Sequence, residues 1–352
     1  MSTSTSSATW QFSILSRDYQ VYSELLAPLL PDNVRLSVAT DDPELFDCQH
    51  VQLALGDPDL LAQVVNQCPQ LCWLQSTFAG NAPLLRAGKR DYQLTGVKGI
   101  FDQQMREYVF SYLLYFARNI EGFALAGQAP ADKWQPPGFD ALAGKTLGIA
   151  GAGDIAASLV DVATVFDMQV VGLNRRGSAT ADYTQVFTPD NKLEFAAACD
   201  FVLSLLPDTP ATRHFIDAEF LAAMAPHSIL INAGRGVVVD DNALIQALST
   251  KQLRAAVLDV FVDEPLADDH PYWALPNAYV TQHTAAISRE QDVAVIFKGN
   301  LIRFLENAPL IYLLTSIGDI KPADRLWRYR PVSAAVAKSP VAPDKHQSWL
   351  IL

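Results

Sequence analysis

The chain has 352 residues, of which 50% are hydrophobic and 18% are charged, and its formal net charge is −12 at pH 7. This length predicts about two domains with large cores, and the composition excludes wholesale disorder. The acidic balance argues against nucleic acid and anionic membrane surfaces as partners. The net charge does not exclude an anionic small substrate, because one local cationic site is enough to bind it.

The cysteine content and the first residues of the sequence indicate the cellular compartment of the protein. The four cysteines, Cys48, Cys68, Cys72 and Cys199, are too few for a disulfide framework. They form no CxxC pair and no zinc-ligand spacing with histidine, so we predict no metal site. The opening MSTSTSSATW lacks the features of a secretory signal, and no apolar run reaches the ~18 residues of a membrane span. We therefore expect a reduced, cytoplasmic protein.

The first hundred residues alternate between strand-like and helix-like stretches. The short β-rich runs are WQFSILS (10–16), VRLSVAT (34–40), VQLALG (51–56), LCWLQS (71–76) and YQLTGV (92–97). The apolar segment from about Asp102 to Leu125 predicts one long helix, and GQAPADKWQPPGF (127–139) predicts a loop. A long helix that is apolar on several faces must be buried, either in a dimer or inside one subunit.

A second alternation follows that loop. Its strand-like runs are KTLGIAGAG (145–153), MQVVGLN (168–174), DFVLSLLP (200–207), HSILIN (227–232), RAAVLDVF (254–261) and NAYVTQH (277–283). The stretch 288–307 predicts one helix. The fold class is therefore α/β, with two Rossmann-like or flavodoxin-like parallel-sheet domains and a cleft between them. The proline-rich tail from about Asp319 predicts an extended arm with aromatic anchors at Trp327, Tyr329 and Trp349. The alternatives for this arm are contact with a second subunit, partial cover of a cleft, and a merely packed or frayed end.

A glycine-rich turn gives the strongest local signal for a ligand. A β-run ends in Gly151-Ala152-Gly153-Asp154-Ile155-Ala156 and a helix follows, which is GxGxxG with alanine in the last place. The first glycine permits the tight turn, and the second lets the backbone approach a pyrophosphate. The helix N-terminus adds unpaired N–H groups. We predict a dinucleotide here; the alternative is a merely tight βα turn.

The end of the next strand predicts which dinucleotide binds. NAD-binding sites carry a carboxylate there for the ribose hydroxyls, whereas this chain has Asn174, Arg175 and Arg176. Arginine can bind a 2′-phosphate through two parallel hydrogen bonds. We therefore predict NADP(H) as the preferred cofactor and NAD(H) as a second one. The alternative is two solvated arginines on a loop.

Three later strands end in groups suited to acid–base chemistry. Arg235 follows the run at 227–232, Glu264 follows 254–261, and His283 follows 277–283. The carboxyl ends of parallel strands form the ligand crevice of a doubly wound sheet, so these groups can meet around one molecule. Together they supply an anion holder, a carboxylate and a titratable imidazole.

Over roughly residues 70–315 the chain resembles the D-isomer-specific 2-hydroxyacid dehydrogenases. The matching pieces are WLQSTFAG (73–80), REYVFSYLLYFAR (106–118), LAGKTLGIAGAGDIA (142–156), LLPDTPATRHFI (205–216), ILINAGRGVVVD (229–240), LDVFVDEPL (258–266) and TQHTAA (281–286). Within the family, the Asn-Arg-Arg run and WLQSTFAG fit the NADP-using glyoxylate/hydroxypyruvate reductase type best.

The resemblance implies roles for the three strand-end groups. Arg235 would hold the carboxylate and carbonyl of a 2-keto acid, and His283 would donate a proton to the carbonyl oxygen during reduction. Glu264 beside the imidazole would favour its protonated form. Proton donation of this kind contributes about 10²–10⁴-fold to a rate.

Further binding residues follow from the same resemblance. The substrate contacts would come from Phe78, Ala79, Gly80, Arg235 and Trp273, although 76–80 can also be an ordinary strand-to-helix turn. The cofactor contacts would come from Gly151, Ala152, Gly153, Asp154, Ile155, Asn174, Arg175, Arg176, Leu206, Pro207, Thr209, Ala233 and Asp259. Asp259 in particular would contact the nicotinamide carboxamide.

Two departures from the family pattern stand beside the histidine. Gln282 replaces the usual proline, which removes a restraint on the backbone before His283. Ala285 and Ala286 replace a usual Gly-Gly, which narrows the expected pocket.

The resemblance also implies a division of the chain and an activity. We expect a substrate-binding domain from 1–100 and 288–319, an NAD(P)-binding Rossmann domain at 101–287, and a C-terminal extension at 320–352. The expected activity is NADPH-dependent reduction of a short 2-keto acid, such as glyoxylate, hydroxypyruvate or pyruvate, by a homodimer. The rivals are a dinucleotide-sensing corepressor-like protein without activity and an enzyme of this family that acts on another acid, for example by oxidising formate.

Overall fold

The computed structural model describes residues 9–127, 135–178, 182–316 and 319–320. The strands are β1 (Trp10–Leu15), β2 (Val34–Thr40), β3 (Leu53–Gly56), β4 (Trp73–Ser76), β5 (Gln93–Thr95), β6 (Thr146–Ala150), β7 (Gln169–Leu173), β8 (Gln185–Phe187), β9 (Phe201–Ser204), β10 (Ile229–Asn232), β11 (Ala255–Leu258), β12 (Ala278–Val280), β13 (Leu314–Ser316) and β14 (Asp319–Ile320). The α-helices are α1 (Tyr19–Leu26), α2 (Pro58–Val64), α3 (Ala82–Arg86), α4 (Asp102–Ala117), α5 (Ile120–Ala126), α6 (Asp154–Val165), α7 (Lys192–Ala197), α8 (Ala218–Ala223), α9 (Asp241–Ser249) and α10 (Glu290–Leu305).

The first sheet contains β1 to β5 in the spatial order β2-β1-β3-β4-β5, and every pair is parallel. All five strands predicted for this block are present, each within its predicted run. The central strands β3 and β4 are buried at every residue, because helices cover both faces of a parallel sheet. The chain returns to this sheet through α10, whose Phe297 stacks on Phe12 and Trp73 at ring-centroid distances of 4.7 and 5.1 Å.

The second sheet has seven parallel strands in the order β12-β11-β10-β9-β6-β7-β8. The six strands that the sequence predicts are confirmed, and β8 is an additional edge strand that the sequence analysis missed. The strand order reverses between β6 and β9, which places the ligand crevice of this sheet at their carboxyl ends. Two parallel-sheet α/β units are therefore present, as predicted.

The prediction of a single helix from Asp102 to Leu125 is wrong. The helix ends at Ala117, and Asn119 adopts a left-handed backbone with φ of 51° before α5 begins at Ile120. The Asn119 side chain accepts a hydrogen bond from Gly122 N and donates one to Gly138 O, so it caps α5 and ties it to the next loop. The predicted helix at 288–307 is confirmed as α10.

The remaining expectations lie partly outside the described residues. The predicted loop at 127–139 is described only at 127 and 135–139, and the arm beyond Ile320, with Trp327, Tyr329 and Trp349, lies wholly outside. Within the described ranges no helix is long and apolar enough to cross a bilayer, and no cluster of His, Cys, Asp and Glu could hold a metal ion.

Candidate active site

The glycine-rich turn connects β6 to α6 at the crevice of the second sheet. Gly151 has φ of +97°, and a Cβ built on it would lie 2.8 Å from the carbonyl carbon of Leu205, so only glycine fits. Gly153 differs, because the nearest atom to its virtual Cβ is Gly151 O at 4.0 Å. The space above Gly153, at the N-terminus of a twelve-residue helix, suits a pyrophosphate. This cradle fits the dinucleotide that the motif predicts.

The predicted phosphate-binding arginines stand on a turn after β7. Asn174 shapes this turn, because its side-chain amide donates to Ser178 O at 2.7 Å and its Oδ1 accepts from Arg176 N at 2.9 Å. Arg175 and Arg176 are exposed. Among the described residues neither guanidinium has an ion pair or a hydrogen bond, so both cations are available to a ligand.

The other predicted cofactor residues lie along the same edge of the sheet. Leu206 follows β9 and Ala233 follows β10, and the two turns pack so closely that a Cβ on Gly234 would lie 2.7 Å from Leu206 O. Beyond Leu206, Pro207 O accepts a hydrogen bond from Thr212 Oγ1 at 2.6 Å, and Thr209 Oγ1 lies 2.8 Å from the same hydroxyl.

Arg235 emerges from the turn after β10. The turn is shaped by Asn232, a buried side chain that donates to Arg235 O at 3.1 Å and accepts from Gly234 N at 3.3 Å. One guanidinium nitrogen, Nη1, donates to Gly234 O at 2.6 Å. The other, Nη2, lies 3.5 Å from the virtual Cβ of Gly80 in the other sheet's loop. Asn232 is a shaping residue that the sequence analysis did not select.

The histidine and the glutamate form a direct pair. His283 Nδ1 lies 2.7 Å from Glu264 Oε2, and the second carboxylate oxygen of Glu264 accepts from Phe261 N at 2.9 Å. That second bond fixes the carboxylate, which in turn orients the imidazole and leaves Nε2 for a ligand.

Asp259 holds the backbone on both sides of His283. Its buried carboxylate accepts from Thr281 Oγ1 at 2.6 Å, from Thr284 N at 2.7 Å and from Ala285 N at 3.0 Å. Its backbone carbonyl accepts from His283 N at 2.6 Å. From the sequence, Asp259 is expected only to contact the nicotinamide carboxamide, and that contact stays a prediction. Its position at the end of β11, beside the histidine turn, becomes visible only once the strands are assembled.

A tyrosine from α4 supports the same turn, and the sequence analysis missed it. Tyr108 Oη lies 2.8 Å from Thr281 Oγ1, and burial raises the pKa of this phenol well above its usual range. Gln104, one helical turn earlier, exchanges two hydrogen bonds with the backbone of Ile287. The segment that carries the histidine is therefore held by α4 and by Asp259.

The backbone at Gln282 has a conformation that the family's usual proline cannot adopt. Gln282 and His283 both have left-handed backbones, with φ of 58° and 60°. Proline is restricted to φ near −65°, so it could not occupy position 282 in this conformation. Consecutive left-handed residues are costly and persist only where neighbours enforce them, as the Asp259 hydrogen bonds do here.

The three strand-end groups line one cavity of about 220 Å³, as predicted from the sheet topology. Its described lining comprises Asp208, Arg235, Gly236, Val237, Val260, Phe261, Val262, Glu264 and His283. Trp273 is not part of this lining: its ring is half exposed and its indole N–H donates to Ala267 O. The predicted contact between Trp273 and substrate stays untested.

The sequence of this chain is similar to those of known proteins. The family described as D-isomer specific 2-hydroxyacid dehydrogenase, NAD binding domain, matches residues 110–285. A glyoxylate/hydroxypyruvate reductase A from Serratia proteamaculans is 34% identical over 226 residues, which cover 64% of this chain and 69% of the relative.

Solved structures show the same relationship. A D-isomer specific 2-hydroxyacid dehydrogenase family protein from Aeromonas salmonicida has a TM-score of 0.80 and 34% identity, over 87% of this chain and 99% of that one. An NADPH-dependent glyoxylate/hydroxypyruvate reductase from Sinorhizobium meliloti, in complex with NADP and sulfate, has a TM-score of 0.76 and 25% identity, over 87% and 98%. This chain belongs to the D-isomer specific 2-hydroxyacid dehydrogenases. It is an oxidoreductase with a nicotinamide-dinucleotide-binding domain.

Proposed function

We propose that the protein reduces a short 2-keto acid to the 2-hydroxy acid with NADPH. The observation that carries the proposal is the shared cavity of Arg235, Glu264 and His283, with Gly80 of the other domain against Arg235. An anion-binding guanidinium and a carboxylate-paired imidazole are the two groups that this reduction needs. The reductases named among the relatives support the same substrate class.

The residues that would hold the cofactor fit its shape and charge. The turn at Gly151–Gly153 would receive the pyrophosphate, and the exposed Arg175 and Arg176 would bind a 2′-phosphate. When bound, the nicotinamide supplies the hydride. Our preference for NADP(H) over NAD(H) rests on these two exposed guanidiniums and on the sequence Asn174-Arg175-Arg176, which has no carboxylate, at the end of β7.

The chain's own groups would bind and protonate the substrate. Arg235 and the backbone N–H groups of Ala79 and Gly80 would hold the substrate carboxylate, and Arg235 would orient the carbonyl. His283, protonated and fixed by Glu264, would donate from Nε2 to the carbonyl oxygen as negative charge develops there. In the reverse direction the neutral imidazole would accept that proton.

We further propose the division of labour expected from the sequence. Residues 1–100 and 288–319 would form the substrate-binding domain, and 101–287 would bind the cofactor. Phe78 and Trp273 would line the substrate pocket. A homodimer and a cytoplasmic location also remain proposals, and the exposed apolar side chains of Ile120, Phe123 and Leu125 on α5 are consistent with a subunit contact.

A panel of 2-keto acids with NADPH and with NADH tests the proposal. We expect consumption of NADPH with glyoxylate, hydroxypyruvate or pyruvate, a higher kcat/KM with NADPH than with NADH, and loss of activity in Arg235→Ala. Binding of NADPH without turnover of any 2-keto acid would favour the corepressor-like rival. Oxidation of formate in a parallel assay with NADP⁺ and NAD⁺, without reduction of any 2-keto acid, would favour the other rival.

A further inference from the structure

The first sheet contains a buried carboxylate at its own crevice. The order of its strands reverses between β1 and β3, and Asp57 follows β3 at that point. The Asp57 side chain is only 2% exposed. It accepts hydrogen bonds from Ser16 Oγ at 2.9 Å, Arg17 N at 3.0 Å, Arg17 Nη1 at 3.1 Å and Thr77 Oγ1 at 2.7 Å. The carboxylate therefore joins the ends of three neighbouring strands, β1, β3 and β4.

Arg17 compensates the buried negative charge of Asp57, and hydrogen bonds fix its own guanidinium. Its guanidinium bonds to Asp57 on one side and to Asp59 on the other. The hydrogen bond to Asp59 raises the pKa of Arg17 above its usual range. A guanidinium held between two carboxylates is a poor receptor for a substrate carboxylate. The cluster consequently serves the architecture of the crevice rather than direct substrate binding.

Thr77 connects this cluster to the loop at Phe78–Gly80. It is 1% exposed and directly precedes the loop, whose members are exposed. Neighbouring side chains restrain the loop further: Ser76 Oγ accepts from Phe78 N at 3.2 Å and donates to Phe78 O at 3.1 Å, and the Asn81 amide donates to Phe78 O and Ala79 O. At its far end the virtual Cβ of Gly80 lies 3.5 Å from Arg235 Nη2. The loop thus runs from the Asp57 anchor to the catalytic cavity.

We propose that Asp57 is a positioning residue that fixes the substrate loop through Thr77. Hydrogen bonds to ionised acceptors are shorter and stronger than neutral ones, so this bond is a firm restraint at the start of the loop. It acts beside the backbone bond from Thr77 N to Gly56 O at 3.0 Å. The inference rests on the proposed function, because the loop N–H groups are assigned there to the substrate carboxylate. That carboxylate is the same in ground and transition states, so a misplaced loop should raise KM more than it lowers kcat.

Two hydroxyl groups donate to the same carboxylate oxygen, so variants that remove one or the other can be compared directly. Ser16 Oγ and Thr77 Oγ1 both donate to Asp57 Oδ1, but only Thr77 is continuous with the loop. In Thr77→Val we expect KM for glyoxylate, or for the best acid of the panel, to rise about tenfold. The kcat should fall much less, and the Kd of NADPH should stay unchanged. In Ser16→Ala we expect a wild-type KM, and in Thr77→Ser a restored one.

Hydrogen–deuterium exchange gives a second readout that needs no turnover. Thr77→Val should accelerate exchange at the amides of 78–80, whereas Ser16→Ala and Thr77→Ser should not. Asp57→Asn should raise both KM and exchange, but it also leaves Arg17 without its buried partner, so the hydroxyl variants decide the matter.

Several outcomes would overturn the inference. They are a wild-type KM in Thr77→Val, an equal rise of KM in Ser16→Ala, and unchanged exchange at 78–80 in Thr77→Val. A wild-type chain that reduces no 2-keto acid would refute the proposed function instead, and the exchange experiment would still test the anchor.

Discussion

The turn that carries His283 and the turn that carries Arg175 and Arg176 lie at carboxyl ends of strands in one sheet, yet they are built in opposite ways. His283 is held through Glu264, through four hydrogen bonds to Asp259 and through Tyr108 on Thr281. Among the described residues, the arginine turn is held by the Asn174 side chain and by backbone bonds from Gly177 N to Asn174 O and from Asn174 N to Phe187 O, and both arginines are exposed.

The difference follows from what each group has to do. A proton donor must lie within hydrogen-bond reach of one substrate atom, so small displacements are costly and the surrounding structure has to fix it. A phosphate is a large dianion that a long, mobile cation can reach from several positions. A dense network is therefore expected at the histidine and is unnecessary at the arginines.

The largest expected effect comes from removing the proton donor. His283→Ala should lower kcat for 2-keto acid reduction by about 10²–10⁴-fold, the usual contribution of a positioned acid. The Kd of NADPH, measured by fluorescence titration, should stay within about twofold of wild type because His283 is assigned to the substrate.

A second histidine–carboxylate pair provides the control for that variant. His50 Nδ1 lies 3.0 Å from Asp47 Oδ2 in the connection between β2 and β3. His50→Ala should leave kcat unchanged. A His283→Ala enzyme with more than a tenth of wild-type turnover would contradict the assigned role.

Asp259→Asn should weaken the network without touching the imidazole. One carboxylate oxygen becomes an NH₂ group facing backbone N–H donors, which costs about 1–3 kcal/mol of unfolding free energy per unsatisfied group. We expect kcat to fall about 10- to 100-fold and denaturant unfolding to shift to lower concentration.

Thr281→Val separates the two effects of that change, since it removes one donor to Asp259 and the partner of Tyr108 but keeps the backbone bonds from Thr284 and Ala285. Its loss of kcat should be smaller than that of Asp259→Asn. An Asp259→Asn enzyme with wild-type kcat would show that the His283 turn does not need this carboxylate.

The smallest expected effect belongs to the exposed turn. Arg175→Ala combined with Arg176→Ala should lower the ratio of kcat/KM with NADPH to that with NADH by about tenfold, because charge-assisted bonds to the 2′-phosphate are lost. Stability should not change, since the side chains make no described contact. Arg35→Ala, at another exposed arginine, should leave the ratio unchanged and serves as the control. An unchanged ratio in the double variant would show that the assignment of Arg175 and Arg176 is wrong.

The sequence predicted most of the elements, and its errors have local physical causes. The strands of both sheets stood out as short apolar runs, but β8 is a three-residue edge strand whose run, Gln185–Phe187, is too short and mixed to register as a pattern. The break at Asn119 was missed because the residues on both sides of it include many apolar and aromatic ones, whereas the left-handed turn is stabilised by Gly138, which lies 19 residues away.

The sequence predicted the chemical groups of the candidate site but not the residues that hold those groups in place. Arg235, Glu264 and His283 were recognisable because polar residues at strand ends contrast with the apolar runs before them. Asp259, Asn232 and Tyr108 resemble any other polar residue near a strand or helix, and their partners are distant in the chain. Asp57 and Thr77 were missed for the same reason, since their contacts cross between parallel strands.

By itself the sequence determined the two βα alternations, the glycine turn and the identity of the charged groups, because these depend on residue type and short spacing. The tertiary structure alone decided which of those groups meet. Parallel strands bring residues from distant segments to one edge, and the hydrogen bonds of buried Asp57 and Asp259 fix loops that local sequence leaves undefined. The positions of the functional groups, and hence the chemistry of the site, depend on those long-range contacts.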